Sequence, residues 1–190
     1  MMERKKNIVL GVTGSIAAHK SVDICSQLTK AGAAVHVVMT KDAQEFVTSL
    51  PFKTLSQNPV ITSLYDEEEG WRPAHIRLAD EADLVLVAPA TANTIAKLAN
   101  GLAEDALGCI VLAVAPEVKL IIAPALNGKM WANCATQMNV RTLIDRGVLF
   151  VGPEEGGLAC GYEGLGCLSS VEKITEVVLK AVGLSQSYKL

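Results

Sequence analysis

One stretch constrains the fold more than any other: Leu84-Val85-Leu86-Val87-Ala88-Pro89-Ala90-Thr91-Ala92-Asn93-Thr94-Ile95. It opens as an unbroken aliphatic run, the pattern of a strand covered on both faces, as in a parallel sheet. Pro89 is expected to stop the strand, because proline has no N–H to give to the ladder. Small and polar residues follow. Thr91, Asn93 and Thr94 can each cap a helix, and Ile95, Leu98 and Leu102 continue at helical spacing. The stretch predicts a strand, a sharp turn and a helix. In an open α/β sheet that carboxyl-end turn is where ligands bind. Its small side chains let a flat ligand approach the backbone, although an ordinary capped turn fits the same residues.

The same unit recurs along the chain. Asn7 to Val12 reads as a strand, and Gly11-Val12-Thr13-Gly14-Ser15-Ile16 as a turn into a helix that runs to about Lys30, with Gly32 as its cap. Residues 35–39 are the second strand. The glycine turn lacks the GxGxxG spacing of dinucleotide sites. Where an NAD site wants an acid after the second strand, the chain has Thr40 and Lys41. A hydroxyl, a cation and a helix start suit a phosphate other than that of NAD; alternatively, Thr40 only caps a helix containing Phe46 and Val47. Residues 51–65 are weakly patterned and read as connecting structure, followed by an acidic loop at 66–70. His75 falls in the first turn of a short helix, where it is either a general base or a surface residue. His19 and His36 are weaker candidates. Further elements are expected at 106–114 (helix), 119–123 (strand), 140–146 (helix end) and 148–151 (last strand). Between them, Pro124-Ala125-Leu126-Asn127-Gly128-Lys129-Met130-Trp131 forms a second distinctive carboxyl-end loop. Its Asn127 offers donors and an acceptor to a bound carboxylate or amide, while Met130 and Trp131 read first as core.

Composition narrows the class. A chain of 190 residues with half of them hydrophobic is expected to form one domain, residues 1–190, with a frayed tail at 183–190. A net charge of −3 without a basic block points away from nucleic acid and anionic membranes. No apolar run reaches the ~18 residues of a membrane span. The charged N-terminus leads straight into a strand, unlike a signal peptide. Five scattered cysteines without CxxC pairing point away from a disulfide framework or metal site and suit a reducing cytoplasm. The segment from Gly156 to Cys167 holds five glycines in twelve residues and reads as a mobile lid over the same sheet edge. Cys160 is its candidate reactive thiol, or else a small buried hydrophobe. Val171–Val182 is a closing helix.

Taken together, Gly11 to Lys20, His75 within His-Ile-Arg-Leu-Ala, Pro89 to Thr94, Pro124 to Trp131 and Leu158-Ala159-Cys160-Gly161 resemble the homo-oligomeric flavin-containing cysteine decarboxylases, in the family's order and over nearly the whole chain. The similarity is greatest to the branch that acts on 4′-phosphopantothenoylcysteine in coenzyme A biosynthesis. The resemblance implies a doubly wound Rossmann-like or flavodoxin-like parallel sheet, an FMN cofactor, and a trimer, or a dodecamer of trimers, with flavin sites between protomers. It implies that Gly14, Ser15, Ile16, Thr40, Thr91, Ala92, Asn93, Thr94 and Ala125 contact the flavin. His75, Asn127 and Cys160 are the implied catalytic residues. Asn127 would hold the substrate carboxylate alongside Met130, Leu158 and Ala159, and Cys160 would protonate the intermediate. The implied chemistry passes through a thioaldehyde, which accepts the electrons as CO2 leaves, and an enethiol, which is then reduced.

Two positions depart from the family. Leu126 stands where methionine is usual, a swap of similar volume, and Cys167 stands where a bulkier residue is frequent. No ligase domain fits before residue 190, so the substrate is expected from a separate synthetase. Two alternatives share the resemblance: a peptidyl-cysteine decarboxylase and a non-catalytic flavin-binding regulatory subunit. Cys160 weighs against the first, since such enzymes stop at the enethiol. His75, Asn127 and Cys160 together weigh against the second.

Overall fold

The computed structural model describes residues 4–65, 72–157 and 163–184. The acidic loop, Leu158, Ala159, Cys160 and the tail after Leu184 lie outside the described residues. The aliphatic runs become parallel strands: β1 (Asn7–Val12), β2 (Ala34–Met39), β3 (Val60–Ile61), β4 (Leu84–Ala90), β5 (Lys119–Pro124) and β6 (Leu149–Phe150) form one sheet in the order β3-β2-β1-β4-β5-β6. All five pairings are parallel. This is the doubly wound order in which the crossovers change direction beside the first strand and open a crevice at the carboxyl ends. Here that switch lies between β1 and β4.

The helices are α1 (Lys20–Lys30), α2 (Ser49–Ser56), α3 (Ala74–Glu81), α4 (Ala92–Asn100), α5 (Ala106–Ala113), α6 (Gly128–Ala132), α7 (Cys134–Asp145) and α8 (Val171–Val182). Alternation along β1 serves both faces. Ile8, Leu10 and Val12 pack with residues of α1, α2 and α8, whereas Val9 packs with residues of α3, α4, α5 and α7. All seven residues of β4 are buried, as an unbroken apolar run requires.

Several expectations need correction. Pro89 does not end β4: the strand runs to Ala90, with a register irregularity against β5 between Val87 and Ala90 that accommodates a residue without an N–H. Pro124 likewise closes β5 from within. Residues 51–65 contain most of α2 and all of β3, because Phe52 is fully buried despite its polar neighbours. Thr40 caps a short 3-10 turn, Lys41–Glu45, and Phe46 and Val47 lie beyond it. Helix α4 stops at Asn100, since Gly101 takes a left-handed φ of 68° and ends it before Leu102. The glycine-rich segment is not all loop: β7 (Glu154–Gly157) and β8 (Glu163–Cys167) pair antiparallel as a separate two-stranded sheet.

Candidate functional site

The site is assembled by short polar links between strand ends. Thr13, 1% exposed, donates its hydroxyl to the Pro89 carbonyl at 2.7 Å and accepts from the Thr91 N–H at 3.2 Å. It locks the end of β1 to the end of β4. The Ala125 N–H donates to the Ala90 carbonyl at 3.0 Å and ties in the end of β5. The Ser15 hydroxyl caps the Ile16–His19 turn, accepting from the Ala17 N–H at 3.3 Å. It also donates to the Ala125 carbonyl at 3.4 Å. The Thr91 hydroxyl caps α4 by accepting from the Thr94 N–H at 3.2 Å. The Thr40 hydroxyl accepts from the Ala43 N–H at 3.3 Å.

These links frame two adjoining cavities. The larger, about 650 Å³, falls in the roughly 300–1,000 Å³ range of small-molecule sites. Ser15, Ile16, Ala92, Ala125, Asn127 and Met130 are on its wall. The smaller, about 290 Å³, is bounded by Thr40, Thr94, Lys41 and Lys97, and the two meet at Gly14, Asp42, Thr91 and Asn93. Gly14 is required there by contact: a Cβ on it would stand 2.5 Å from the Asp42 Cβ. Asn127 caps α6, its Oδ1 accepting from the Lys129 N–H at 2.9 Å. That bond orients the carboxamide on the cavity wall.

The structure therefore brings together Gly14, Ser15, Ile16, Thr40, Thr91, Ala92, Asn93, Thr94, Ala125, Asn127 and Met130 around one joined space. His75 does not join them. It is half-buried in the first turn of α3 and lines neither cavity.

Other wall residues come from the glycine-rich segment expected over this sheet edge and from the end of the Gly11–Lys20 motif. The β7–β8 hairpin supplies Gly157, Gly166 and Cys167, and the start of α1 supplies Lys20. Lys97 pairs with Glu104 at 2.6 Å; this pair raises the ammonium pKa and lowers that of the carboxyl. Period-two apolar alternation, the usual strand signal, is missing from a stretch as rich in glycine as the hairpin.

The chain matches the flavoprotein family over residues 1–183. It belongs to that family. This flavoprotein is 42% identical over 173 residues to a probable phosphopantothenoylcysteine decarboxylase of Streptococcus mutans, covering 91% of this chain and 97% of the relative. It is 44% identical over 179 residues to the coenzyme A biosynthesis bifunctional protein CoaBC of Bacillus subtilis, covering 94% of this chain but 44% of that protein. It thus spans less than half the length of this bifunctional relative. Among solved structures it resembles a cysteine-to-serine mutant of PPC decarboxylase complexed with pantothenoylaminoethenethiol, with a TM-score of 0.83 and 31% identity over 92% of this chain and 97% of that one. It also resembles the FMN binding protein AtHal3, with a TM-score of 0.80 and 33% identity over 92% and 95%.

A flavin fits the residues present. The larger cavity has an apolar share suited to a planar ring, from Ile16, Ala92, Ala125 and Met130. In the smaller one the threonine hydroxyls, Lys41 and the start of the nine-residue helix α4 are donors suited to an anionic end group, beside the carboxylates of Asp42, Asp105 and Glu104, the last paired with Lys97.

Proposed function

We propose that this flavoprotein is an FMN-dependent carboxy-lyase that converts 4′-phosphopantothenoylcysteine to 4′-phosphopantetheine in coenzyme A biosynthesis, working in the cytoplasm. The observation that carries the reading is Asn127. It stands oriented on the wall of the same cavity that the Gly14–Ile16 turn and the Thr91–Asn93 turn line. A carboxylate-binding amide beside a flavin-sized cavity is what a cysteine-derived substrate requires. The relatives named for this activity support it.

Gly14, Ser15, Ile16, Thr40, Thr91, Ala92, Asn93, Thr94 and Ala125 would hold the FMN. When bound, the cofactor supplies a two-electron acceptor for the thiol-bearing carbon and later returns the electron pair, so the reaction is redox-neutral overall. The protein's own part is placement. Asn127 donates to the substrate carboxylate and directs it so that the C–C bond to CO2 can break. Met130 supplies an apolar contact next to it. Cys160, assigned from the sequence together with Leu158 and Ala159, gives the proton that completes the saturated product.

His75 we assign to the site of a neighbouring copy, in a trimer or a dodecamer of trimers. Its absence from its own chain's cavity supports this. So do Ile16 and Met130, which are 61% and 52% exposed at the cavity rim. Apolar side chains of that size are suited to cover by a partner.

The test is mass spectrometry of the products formed from 4′-phosphopantothenoylcysteine by the purified yellow protein. Loss of CO2 alone is expected. A product two hydrogens lighter would remove the proton-donor role from Cys160. Absence of turnover with FMN bound would overturn the decarboxylase reading.

A further inference from the structure

One wall residue of the larger cavity has no part in the steps above. Lys20 opens α1, is half-buried and lines that cavity beside Ile16 and His19. Among the described residues its ammonium has no hydrogen-bond or ion-pair partner, and it does not pair with Asp23 one turn on. Lys97, on the smaller cavity, contrasts with it, since Glu104 neutralises that charge. A cation drawn partly out of water without a counter-ion is unfavourable. Departures from local preference of this kind gather at functional sites. The cavity's other full charge, Asp42, lies where the two cavities meet, whereas Lys20 lines the larger one alone. Lys20 thus places an unpaired positive charge on the wall of the larger cavity, on the part that the threonine-rich arm assigned to the flavin's end group does not share.

We propose that Lys20 binds the phosphate monoester of the substrate and so selects a phosphorylated acyl-cysteine over its unphosphorylated analogue and over a cysteine-ending peptide. This rests on the decarboxylase reading and names the residue that sets its substrate class. His19, whose Nδ1 is 2.8 Å from the Ile16 carbonyl, stands beside it as a second polar group.

The experiment compares kcat/KM for 4′-phosphopantothenoylcysteine and for pantothenoylcysteine in the holoenzyme, Lys20→Met and Lys20→Arg. The wild-type protein is expected to prefer the phosphorylated compound by about 10- to 100-fold, the order of one charge-assisted hydrogen bond. In Lys20→Met that ratio collapses toward one, chiefly through KM for the phosphorylated substrate, and Lys20→Arg keeps most of it. A ratio unchanged in Lys20→Met overturns the proposal, as does a wild-type ratio near one.

The cofactor's phosphate is the other possible anion. Fluorescence titration of the apo-proteins separates the two: Lys20→Met should keep the wild-type ratio of FMN to riboflavin affinity, and loss of that ratio would move Lys20 to the cofactor. The same titration reports whether the variant folds. If the wild-type protein turns over neither compound, the decarboxylase reading falls by itself. Calorimetry with 4′-phosphopantetheine against pantetheine then decides the Lys20 assignment, by whether Lys20→Met loses the discrimination.

Discussion

The Thr13 hydroxyl stands between two strand ends, giving a hydrogen bond to Pro89 and taking one from Thr91. Thr13 itself is buried, so water does not readily take the place of its hydroxyl. Thr13→Val keeps the volume and removes both bonds. It is expected to lower stability by about 1–3 kcal/mol, the cost of buried polar groups left unpaired. Thr13→Ser, which keeps the hydroxyl, should cost less. The midpoints of urea unfolding curves measure both. Cys25 offers a second test at this scale. Burial in the core pushes its thiol pKa up to about 11. At pH 8 only about one part in a thousand is thiolate, the reactive form, so Cys25 should resist thiol reagents until the chain unfolds. Exposed Cys134 should react at once, as labelling followed by peptide mass mapping would show. Local chemistry made some single-residue roles readable. Thr91 is one of three candidate caps in the sequence and is the cap of α4, whereas the capping of α6 by Asn127 lies inside a segment that reads as loop. The role of Thr13 was not readable, because its partners lie 76 and 78 positions away.

At the scale of elements, the hairpin shows what a glycine-rich segment hides. Gly166 on β8 accepts the Leu126 N–H at 3.0 Å through its carbonyl, so the hairpin is fastened to the loop that carries Asn127. A Cβ at residue 166 would stand 2.2 Å from the Leu126 carbonyl oxygen. Backbone meets backbone there, and no side chain can turn aside. Gly166→Ala is therefore expected to lift the hairpin from the Asn127 loop and to lower kcat/KM by more than about tenfold, since small displacements of a positioning group cost that much. Flavin binding, which we assign mainly to the β1 and β4 turns, should change far less. Steady-state kinetics beside a flavin titration would separate the two; equal loss of both would count against the positioning role. Most strands and helices of the doubly wound sheet were legible because they carry an apolar period or a cap. Helix α2, strand β3 and the pairing of the hairpin were not. Phe52, with Leu55 beside it, holds α2 on the core, and β7 and β8 are held by main-chain pairing that glycine does not announce.

At the scale of the whole molecule, the repeated strand–turn–helix pattern points to a parallel sheet with ligand-binding strand ends, while the strand order that brings the β1, β4 and β5 ends together is seen in the structure. What a single chain does not bring together is His75 and Asn127. Helix α3 packs on the side of the sheet lined by Val9, Val85 and Val87, and its first turn reaches neither cavity. If each site takes Asn127 from one copy and His75 from the next, two inactive variants should restore one another. His75→Asn alone and Asn127→Ala alone should each form an inactive homo-oligomer. Mixed 1:1 by co-expression, they should assemble some sites with both native residues. Random assortment in a cyclic oligomer makes that about a quarter of the sites. Activity near a quarter of wild type in the mixed protein is the expected outcome. If the two residues served one site within a single chain, every site in the mixture would lack one of them, and turnover would stay at the level of the separate variants. Light scattering on the same samples supplies the matching check: the native mass should be a multiple of three chains of 20.1 kDa, and the mixed protein should share it. Restored activity at that mass would place the reaction between protomers, and a silent mixture would overturn the assignment of His75 to a neighbouring copy's site.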